Sequence, residues 1–294
     1  MGDFKGSNKT HSYFEGWYFK HQSEGHTLAL IPGVNFDSSG KKSAFVQVIT
    51  QEHSWNVSYP YSTFRSSPYG LTIQIGDQLF SSRGVRLNLQ APGLECCGSL
   101  RYGPLTPPQS DVMGPFRFVP FMECSHGVIS MRHTLTGSLS VNGTSIDFNE
   151  GTGYIEKDRG SSFPEKYLWV QCNRFPELSC SIMVSIAKIP FGFISFTGCI
   201  AVVCFRGREY RLATYNGVRV LRWNESGFLI SQRDYILEAE VLKTSGLALN
   251  APAAGAMSRV IRESASCRVR FRFYRANELL FDMESDEAGF ECAE

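Results

Sequence analysis

The chain has 294 residues, enough for one large domain or two ordinary ones, and 43% of them are hydrophobic. Its 29 basic and 28 acidic residues give a net charge of +1, so it lacks the basic excess that nucleic-acid binding requires. Aromatic residues make up 13% of the chain, a share typical of β-rich interiors and of cavities for large apolar ligands.

Strand patterns dominate the chain and predict an all-β protein. Apolar and polar side chains alternate, as in strands with one buried face, in residues 71–75, 85–90 and 267–273. A short helix is predicted only for residues 253–264.

Two Asn-Gly pairs, Asn142-Gly143 and Asn216-Gly217, each predict a β-hairpin between strand patterns. Asn-Gly readily supplies the positive φ angles that a type I′ turn needs at both central residues.

Residues 182–205 are mostly apolar and have the length of a membrane-spanning helix. Lys188 and the Pro190-Phe-Gly sequence interrupt this stretch near its middle, and its first half alternates in the manner of a strand. Two strands joined by a turn are therefore predicted here.

An acid and a glycine precede an aromatic strand in residues 13–20, and the same order occurs in residues 156–169. This weak recurrence predicts two related β domains. Two glycines interrupt the strand patterns near residue 150, so the predicted domains are residues 1–149 and 150–294.

The segment after this boundary contains the strongest candidate for a functional site. Glu156 and Asp158 occupy alternating positions around Lys157. In the strand predicted next, one face combines an indole with two amides, Trp169, Gln171 and Asn173. Buried amides need hydrogen-bond partners, so this face indicates a polar-lined cavity. The alternative is an acidic turn, salt-bridged by Lys157 and Arg159, that precedes an edge strand.

A second group of polar residues follows the Pro-rich segment 104–120. Glu123, His126, Arg132 and His133 lie within eleven positions of one another. They indicate either part of a site or ordinary structural histidines.

Several catalytic and cofactor-binding motifs are absent from the sequence. It contains no Gly-x-Ser-x-Gly, His-Glu-x-x-His or Cys-x-x-Cys motif, and no P-loop or dinucleotide-binding glycine pattern. The expected site therefore uses neither a metal nor a cofactor.

The nine cysteines are an odd number without framework spacing, which favours reduced thiols. Residues 1–6 lack the apolar core of a signal peptide. Both features predict a cytoplasmic protein.

The sequence resembles the tocopherol cyclase family, particularly its shorter bacterial members. The central matching motif is Gly153-Tyr-Ile-Glu-Lys-Asp158 with Gly160, followed by Trp169-x-Gln171-x-Asn173. Supporting matches lie in residues 14–20, 122–126, 163–164, 185–198 and 213–217. The resemblance implies two lipocalin-like, AttH-like antiparallel β-barrel or sandwich domains, related to carotenoid hydratases and some fungal cyclases. It also implies a ligand cavity near the domain junction. Family members commonly have Trp where this chain has Arg159, which leaves the substrate in question.

The reaction that this resemblance implies is the cofactor-free closure of a chromanol ring on a prenylated hydroquinone, in the isomerase class. A buried carboxylic acid, kept protonated because burial raises its pKa, would protonate a trisubstituted alkene. The phenol oxygen would then capture the tertiary cation in a site that excludes water.

The resemblance also implies roles for individual residues. Glu156 or Asp158 would be the acid, and His126 or Glu123 would accept the phenol proton. Lys157 would face away from the acids or pair with one of them. A cation-stabilising aromatic wall would comprise Trp17, Tyr154 and Trp169, and the quinol hydroxyls would be oriented by Gln171 and Asn173.

Two other functions stay open at this stage: a non-catalytic isoprenoid or lipid carrier, and a hydratase that adds water to an isoprenoid double bond. In every case the predicted partner is a hydrophobic isoprenoid or prenylquinol, without nucleic acid or a transmembrane segment. Transient contact with a membrane surface and the oligomeric state are left open.

Overall fold

The computed structural model describes residues 2–119, 122–175, 180–191, 194–244 and 246–293. In this part of the chain, strands are joined by turns and by short 3₁₀ helices at Gly6–Asn8, Tyr61–Thr63, Gly114–Phe118 and Thr214–Asn216. The predicted all-β class is confirmed.

The strands in chain order are β1 (Tyr13–Ser23), β2 (His26–Phe36), β3 (Lys42–Ile49), β4 (Ser54–Pro60), β5 (Phe64–Ser66), β6 (Thr72–Ile75), β7 (Gln78–Ser81), β8 (Gly84–Ala91), β9 (Leu94–Tyr102), β10 (Cys124–Val141), β11 (Thr144–Asp147), β12 (Thr152–Gly160), β13 (Tyr167–Cys172), β14 (Cys180–Phe191), β15 (Ile194–Phe205), β16 (Arg208–Ala213), β17 (Arg219–Asn224), β18 (Gly227–Gln232), β19 (Tyr235–Lys243), β20 (Leu247–Ala253), β21 (Ala256–Arg275) and β22 (Glu278–Ala293).

The strands form two antiparallel sheets. Among the described residues, the first follows the order β4-β3-β2-β1-β12-β10-β9-β8-β7-β6-β5, with β11 paired to β10. The second follows the order β16-β15-β14-β13-β22-β21-β19-β18-β17, with β20 paired to β21. Each sheet encloses its own apolar core, which alternating strand residues supply.

The chain divides into two compact units, but not at the predicted boundary. Unit 1 comprises Met1–Pro107, Met122–Phe163 and Leu249–Val260, and unit 2 comprises the rest. The prediction of domains 1–149 and 150–294 therefore misplaces β12. This strand pairs with β1 and β10 of the first sheet, so the main division follows residue 163.

The prediction of a helix over residues 253–264 is wrong, because β20 and β21 form a hairpin there. Ala254 and Gly255 make its turn with φ angles of 48° and 82°. A Cβ on Gly255 would lie 2.0 Å from the carbonyl oxygen of Phe36, so the turn needs glycine for space as well as for its backbone angle.

The two Asn-Gly predictions differ in outcome. Asn142 and Gly143, with φ angles of 49° and 80°, turn β10 into β11 as predicted. Gly217 also has a positive φ of 84°, but Asn216 ends a 3₁₀ helix. The strands on either side are at opposite edges of the second sheet, so no hairpin forms.

The apolar stretch 182–205 lies in the paired strands β14 and β15. The turn predicted between them includes residues 192 and 193, which lie outside the described residues. Within the described chain, no helix has the length and apolar character needed to cross a membrane.

Candidate functional site

The candidate site is built on three neighbouring strands of unit 1. Strand β12 lies between β1 and β10, and Asp158 is in register with Gly16 on one side and His126 on the other. Successive side chains of a strand point to opposite faces, so Glu156 and Asp158 share one face. Ile155 on the other face belongs to the apolar core.

The face that carries the acids is polar and nevertheless buried. Tyr18, Lys20, Tyr154 and Glu156 are between 0% and 7% exposed. This face points away from the apolar core, but it is buried and carries charged groups. Functional sites are often found in such surroundings.

Four side chains on this face form a connected group, which we call the β12 cluster: Tyr154, Glu156, Asp158 and His126. Tyr154 donates a hydrogen bond from its hydroxyl to Glu156 Oε2 at 2.6 Å. His126 Nε2 lies 3.7 Å from the same oxygen, and His126 Nδ1 lies 3.0 Å from Asp158 Oδ1. The cluster is therefore a chain from phenol to carboxyl to imidazole to carboxyl.

Side-chain exposure increases from Glu156 through His126 to Asp158. The Glu156 side chain is 6% exposed, that of His126 10% and that of Asp158 21%. Glu156 is thus the secluded end, while Asp158 is the end in contact with solvent.

Burial keeps the two neighbouring weak acids protonated. Burial and, secondarily, the charge of Glu156 raise the pKa of Tyr154 well above its usual value of 10.0. The Cys124 thiol, whose Sγ lies 3.7 Å from Asp158 Oδ1, has its pKa raised well above 9.0, first by burial and then by Asp158. Both groups are therefore neutral hydrogen-bond donors to the acids.

The geometry allows the β12 cluster to share a proton between its carboxyls. With His126 Nδ1–H donating to Asp158, Nε2 offers a lone pair toward Glu156. The 3.7 Å between Nε2 and Glu156 Oε2 is longer than a hydrogen bond, so a proton on Glu156 passes to Nε2 only after the two groups move closer together. The ligand atoms of His126, Glu156 and Asp158 also lie within 4.8 Å of one another, so a divalent cation would compete for the same atoms.

Lys157 and Trp17 do not belong to the cluster, because the alternation of β12 and β1 points them to the core face. Lys157 Nζ pairs with Glu15 Oε1 at 2.5 Å and lies 5.0 Å from the Trp17 ring. Trp17 is 0% exposed and donates its indole N–H to the carbonyl of Gly2. Of the two predicted arrangements of Lys157, the structure has the one in which it faces away from the acids, and it places Trp17 away from the predicted aromatic wall beside them.

Arg159 is also separated from the acids by strand alternation. It is in register with Glu15, a buried residue of the core face. The replacement of the family's usual Trp by Arg159 therefore does not remove an aromatic ring from the face of Glu156 and Asp158.

Glu123 immediately precedes β10 and is only half-buried. Its carbonyl oxygen accepts hydrogen bonds from the N–H groups of Ser161 and Ser162. These contacts give Glu123 a backbone role in joining β10 to the residues that follow β12, and its side chain is not connected to the β12 cluster by any described bond.

Trp169, Gln171 and Asn173 belong to unit 2. On β13, Trp169 and Gln171 share the face opposite the core residues Leu168 and Val170, as alternation predicts. Trp169, Gln171 and Asn173 are 6%, 0% and 1% exposed.

Two further acids, which no sequence pattern indicated, lie on the same sheet of unit 2. Glu291 is in register with Trp169 on one side and with Glu263 on the other. Both glutamates are buried, at 7% and 3% exposure. Only strand register brings them together, and a single sequence carries no direct signal of it.

His133 does not join His126. Its ring lies 4.5 Å from that of Tyr102, and Tyr102 donates from its hydroxyl to His21 Nε2 at 2.5 Å. Burial lowers the pKa of His21 to about 4, and burial with the nearby His21 lowers that of His133 to about 3. His133 therefore has a structural role, one of the two alternatives that its sequence context indicated, and His21 shares that role.

Comparison with known families matches residues 97–293 to a family described as tocopherol cyclase-like. A protein of Oryza sativa subsp. japonica described as a probable chloroplastic tocopherol cyclase is 28% identical over 160 residues, which cover 51% of this chain and 34% of that protein. The chloroplastic tocopherol cyclase of Zea mays is 28% identical over 163 residues, with the same coverage of 51% and 34%. The match spans about a third of the length of these relatives.

Solved structures with the same fold include CghA bound to Sch210972, with a TM-score of 0.61 and 10% identity, covering 96% of this chain and 88% of that one. Kievitone hydratase from Nectria haematococca has a TM-score of 0.53 and 11% identity, covering 99% and 93%. An AttH-type protein from Nitrosomonas europaea has a TM-score of 0.52 and 11% identity, covering 95% and 92%. At these identities the likeness shows the fold alone, and it confirms the AttH-like architecture.

Proposed function

The chain belongs to the tocopherol cyclase-like family, and from this premise we propose that it closes a chromanol-type ring on a prenylated hydroquinone or a related isoprenoid by acid catalysis without a cofactor. The observation that carries the proposal is the β12 cluster. Its buried carboxyl, Glu156, is held by a neutral phenol and faces an imidazole that a second carboxyl orients.

In the proposed mechanism, Glu156 is the proton donor. Its O–H protonates one carbon of a trisubstituted alkene, which leaves a tertiary cation and a carboxylate. The phenol oxygen of the substrate attacks the cation and forms the C–O bond of the new ring. The phenol proton returns to Glu156 directly or through His126 Nε2, so the reaction is an isomerisation without net proton uptake.

Other members of the cluster have positioning roles in this proposal. The Tyr154 hydroxyl fixes the orientation of the Glu156 carboxyl, and Asp158 fixes the tautomer of His126. The rings of Tyr18 and Tyr154 offer π faces to a cation formed next to Glu156.

The assignment of Trp169, Gln171 and Asn173 to substrate binding is a separate proposal, because these residues belong to unit 2. It is supported by the polar, buried face that they form. Gln171→Ala is expected to raise KM more than it lowers kcat, since orientation of a hydroxyl contributes to binding the substrate.

The decisive experiment replaces the proposed donor by its amide. Glu156→Gln is expected to lower turnover of a prenyl hydroquinone by about a hundredfold or more, because general acid catalysis contributes roughly 10²–10⁴-fold. Chromanol formation is measured by chromatography, and folding and ligand uptake by thermal melting and native mass spectrometry.

Glu95→Gln, the same chemical change at an exposed position of β9 in the same sheet, is the matched control and is expected to leave turnover unchanged. Unchanged turnover in Glu156→Gln would refute the proton-donor role. Turnover that a chelator abolishes and an added divalent cation restores would instead assign the β12 cluster to metal binding.

A hydratase is the second candidate, because the partly exposed Asp158 gives water a path toward the cluster. It begins with the same protonation, but water captures the cation. Incubation in ¹⁸O-labelled water separates the two, since a hydratase incorporates the label and a cyclase does not. Bound isoprenoid without any product would identify the protein as a carrier.

A further inference from the structure

A buried ion pair lies directly behind the β12 cluster, on the core face of the same strands. Glu15 is 0% exposed, and the Lys157 side chain is 9% exposed. Glu15 also accepts hydrogen bonds from the Tyr13 hydroxyl and the N–H of Lys5, and Lys157 also donates to the carbonyl of Asp3. Every charged atom of the pair is thus matched by a partner.

Stability alone is a weak reason for such a pair. Moving two ions out of water costs several kcal/mol each, and a well-packed apolar pair of similar volume is often as stable or more stable. Burial lowers the pKa of Lys157, and the nearby Glu15 partly offsets that effect. The pair therefore calls for another explanation, and buried ion pairs are best attested as devices that select one register.

The position of Lys157 in the sequence supplies that explanation. It stands between Glu156 and Asp158, so turning Lys157 inward turns both acids outward. A slip of β12 by one residue would reverse all three, placing two carboxyls in the apolar core and the ammonium group in the cluster.

The two neighbours of β12 differ in how firmly they define its register. Pairing with β10 is regular from Cys124 opposite Gly160 to Val128 opposite Glu156, and it shifts beyond that point, between Val128 and Ser130 and between Ser130 and His133. Pairing with β1 runs without a shift from Phe14 opposite Gly160 to Gln22 opposite Thr152. Over the whole length of β12, an unshifted register is therefore kept with β1, the strand that supplies Glu15 to the ion pair.

We propose that Lys157 is a positioning residue, which by pairing inward with Glu15 fixes the register of β12 and so holds Glu156 and Asp158 against His126. The consequence for catalysis rests on the proposed function. The consequence for register does not.

The test separates register from stability with the double variant Glu15→Leu/Lys157→Met. It removes both charges together, so it leaves no buried ion unpaired, and it is expected to melt within a few degrees of the parent protein. Its turnover is expected to fall by about tenfold to a hundredfold, as displaced catalytic groups do. Amide hydrogen exchange across residues 153–158 is expected to rise.

The control is Arg268→Met/Glu284→Leu, which removes an exposed cross-strand pair on β21 and β22. It is expected to change neither turnover nor exchange in β12. Lys157→Arg keeps the charge and is expected to retain more activity than Lys157→Met.

A double variant with parental melting, parental exchange in β12 and parental turnover would overturn the proposal. If the double variant does not fold, Lys157→Arg and Lys157→Met decide the matter, and equal exchange in β12 of both would overturn it. If the parent protein shows no turnover, the proposed function fails, while the exchange measurement still decides the register claim.

Discussion

The residues of unit 1 show how strand alternation separates two kinds of buried polar group. Glu156 and His126 face away from the apolar core, with His126 Nε2 3.7 Å from Glu156 Oε2. Glu15 and Lys157 face into the core and form a closed ion pair. Adjacent positions of one strand thus carry the proposed catalytic acid in one case and a structural ion pair in the other.

The neutral histidines of the core make stability depend on pH. His21 and His133 have folded-state pKa values of about 4 and about 3, against 6.5 for an ordinary histidine. Between these values the unfolded chain binds protons that the folded chain does not. Their contribution to stability is therefore complete above pH 6.5 and is lost as the pH falls toward the folded values.

We expect the free energy of unfolding, measured with urea, to fall between pH 6.5 and pH 5 by up to about 1.4 kcal/mol per pH unit for each histidine. His133→Gln should reduce this slope by about 1.4 kcal/mol per pH unit, the contribution of one proton, even though the substitution lowers stability at pH 7. His11→Gln, at an exposed position, should not change the slope. Equal slopes in all three proteins would contradict the assignment of neutral buried histidines.

At the scale of elements, the hairpin of β20 and β21 depends on one glycine. A Cβ at position 255 would lie 2.0 Å from the carbonyl oxygen of Phe36 and 2.4 Å from the N of Tyr13, both backbone atoms. Because backbone cannot yield as a flexible side chain can, Gly255→Ala is expected to destabilise this hairpin by roughly 1–3 kcal/mol.

Hydrogen exchange of residues 249–260 measures this effect directly. Gly207→Ala is the matched control, because its φ of 74° is similar but no atom lies within 4 Å of its added Cβ. Gly207→Ala should therefore show the loss of hydrogen-exchange protection that backbone strain alone causes. Equal loss of protection in the hairpins that carry the two substitutions would mean that the close approach to Phe36 contributes nothing.

The sequence predicted the type of most elements, but not their pairing. Alternation correctly indicated strands in residues 71–75 and 85–90, and it placed Glu156 and Asp158 on one face. The error at residues 253–264 arose because short alternating segments with alanine and serine have no strong period. Register between distant strands, such as Trp169 with Glu291, depends on tertiary packing that no local pattern encodes.

Only part of the candidate site was predicted, because local sequence patterns do not show which strands pair. The sequence named Glu156, Asp158, His126 and Tyr154, which the structure brings together. It also grouped Trp17 with them on chemical character alone, although alternation in β1 turns its indole toward the core. Residue types indicated which chemical groups the site could contain. The alternation of side chains along each strand determined which of those groups lie on the same face.

At the scale of the whole chain, each unit contains one segment whose neighbours along the chain, on both sides, belong to the other unit. Residues 249–260 belong to unit 1, where the side chain of Gln47 exchanges two hydrogen bonds with the backbone of Asn250. Pro108–Phe121 belongs to unit 2, although the chain on both sides of it belongs to unit 1. A simple boundary predicted from turn residues cannot describe such an exchange of segments.

Charged hydrogen bonds from Arg211 and Glu209 help to hold residues 108–119 in unit 2. Arg211 donates to the carbonyl oxygens of Ser110 and Asp111, each at 3.2 Å, and Glu209 Oε2 accepts the N–H of Gln109 at 2.7 Å. Arg211 is itself paired with Glu209 at 2.6 Å. Hydrogen bonds that involve a charged group contribute about 1.5–3 kcal/mol each. They act beside the hydrogen bond from the Tyr215 hydroxyl to the Val112 carbonyl and the packing of Phe116 against Tyr215 and Phe196.

Arg211→Met removes the bonds that Arg211 donates to Ser110 and Asp111 and is expected to let the segment open more often. Arg117 lies within it, so trypsin cleavage after Arg117 should become at least about tenfold faster, because proteolysis follows the population of the locally open form. Arg222→Met is the matched control, since it also removes one arginine from unit 2, at an exposed position of β17. Equal cleavage after Arg117 in both variants would show that other contacts hold the segment. Faster cleavage in Arg211→Met with unchanged melting would identify the segment as a locally stabilised part of unit 2 that leads directly into β10, the strand carrying His126.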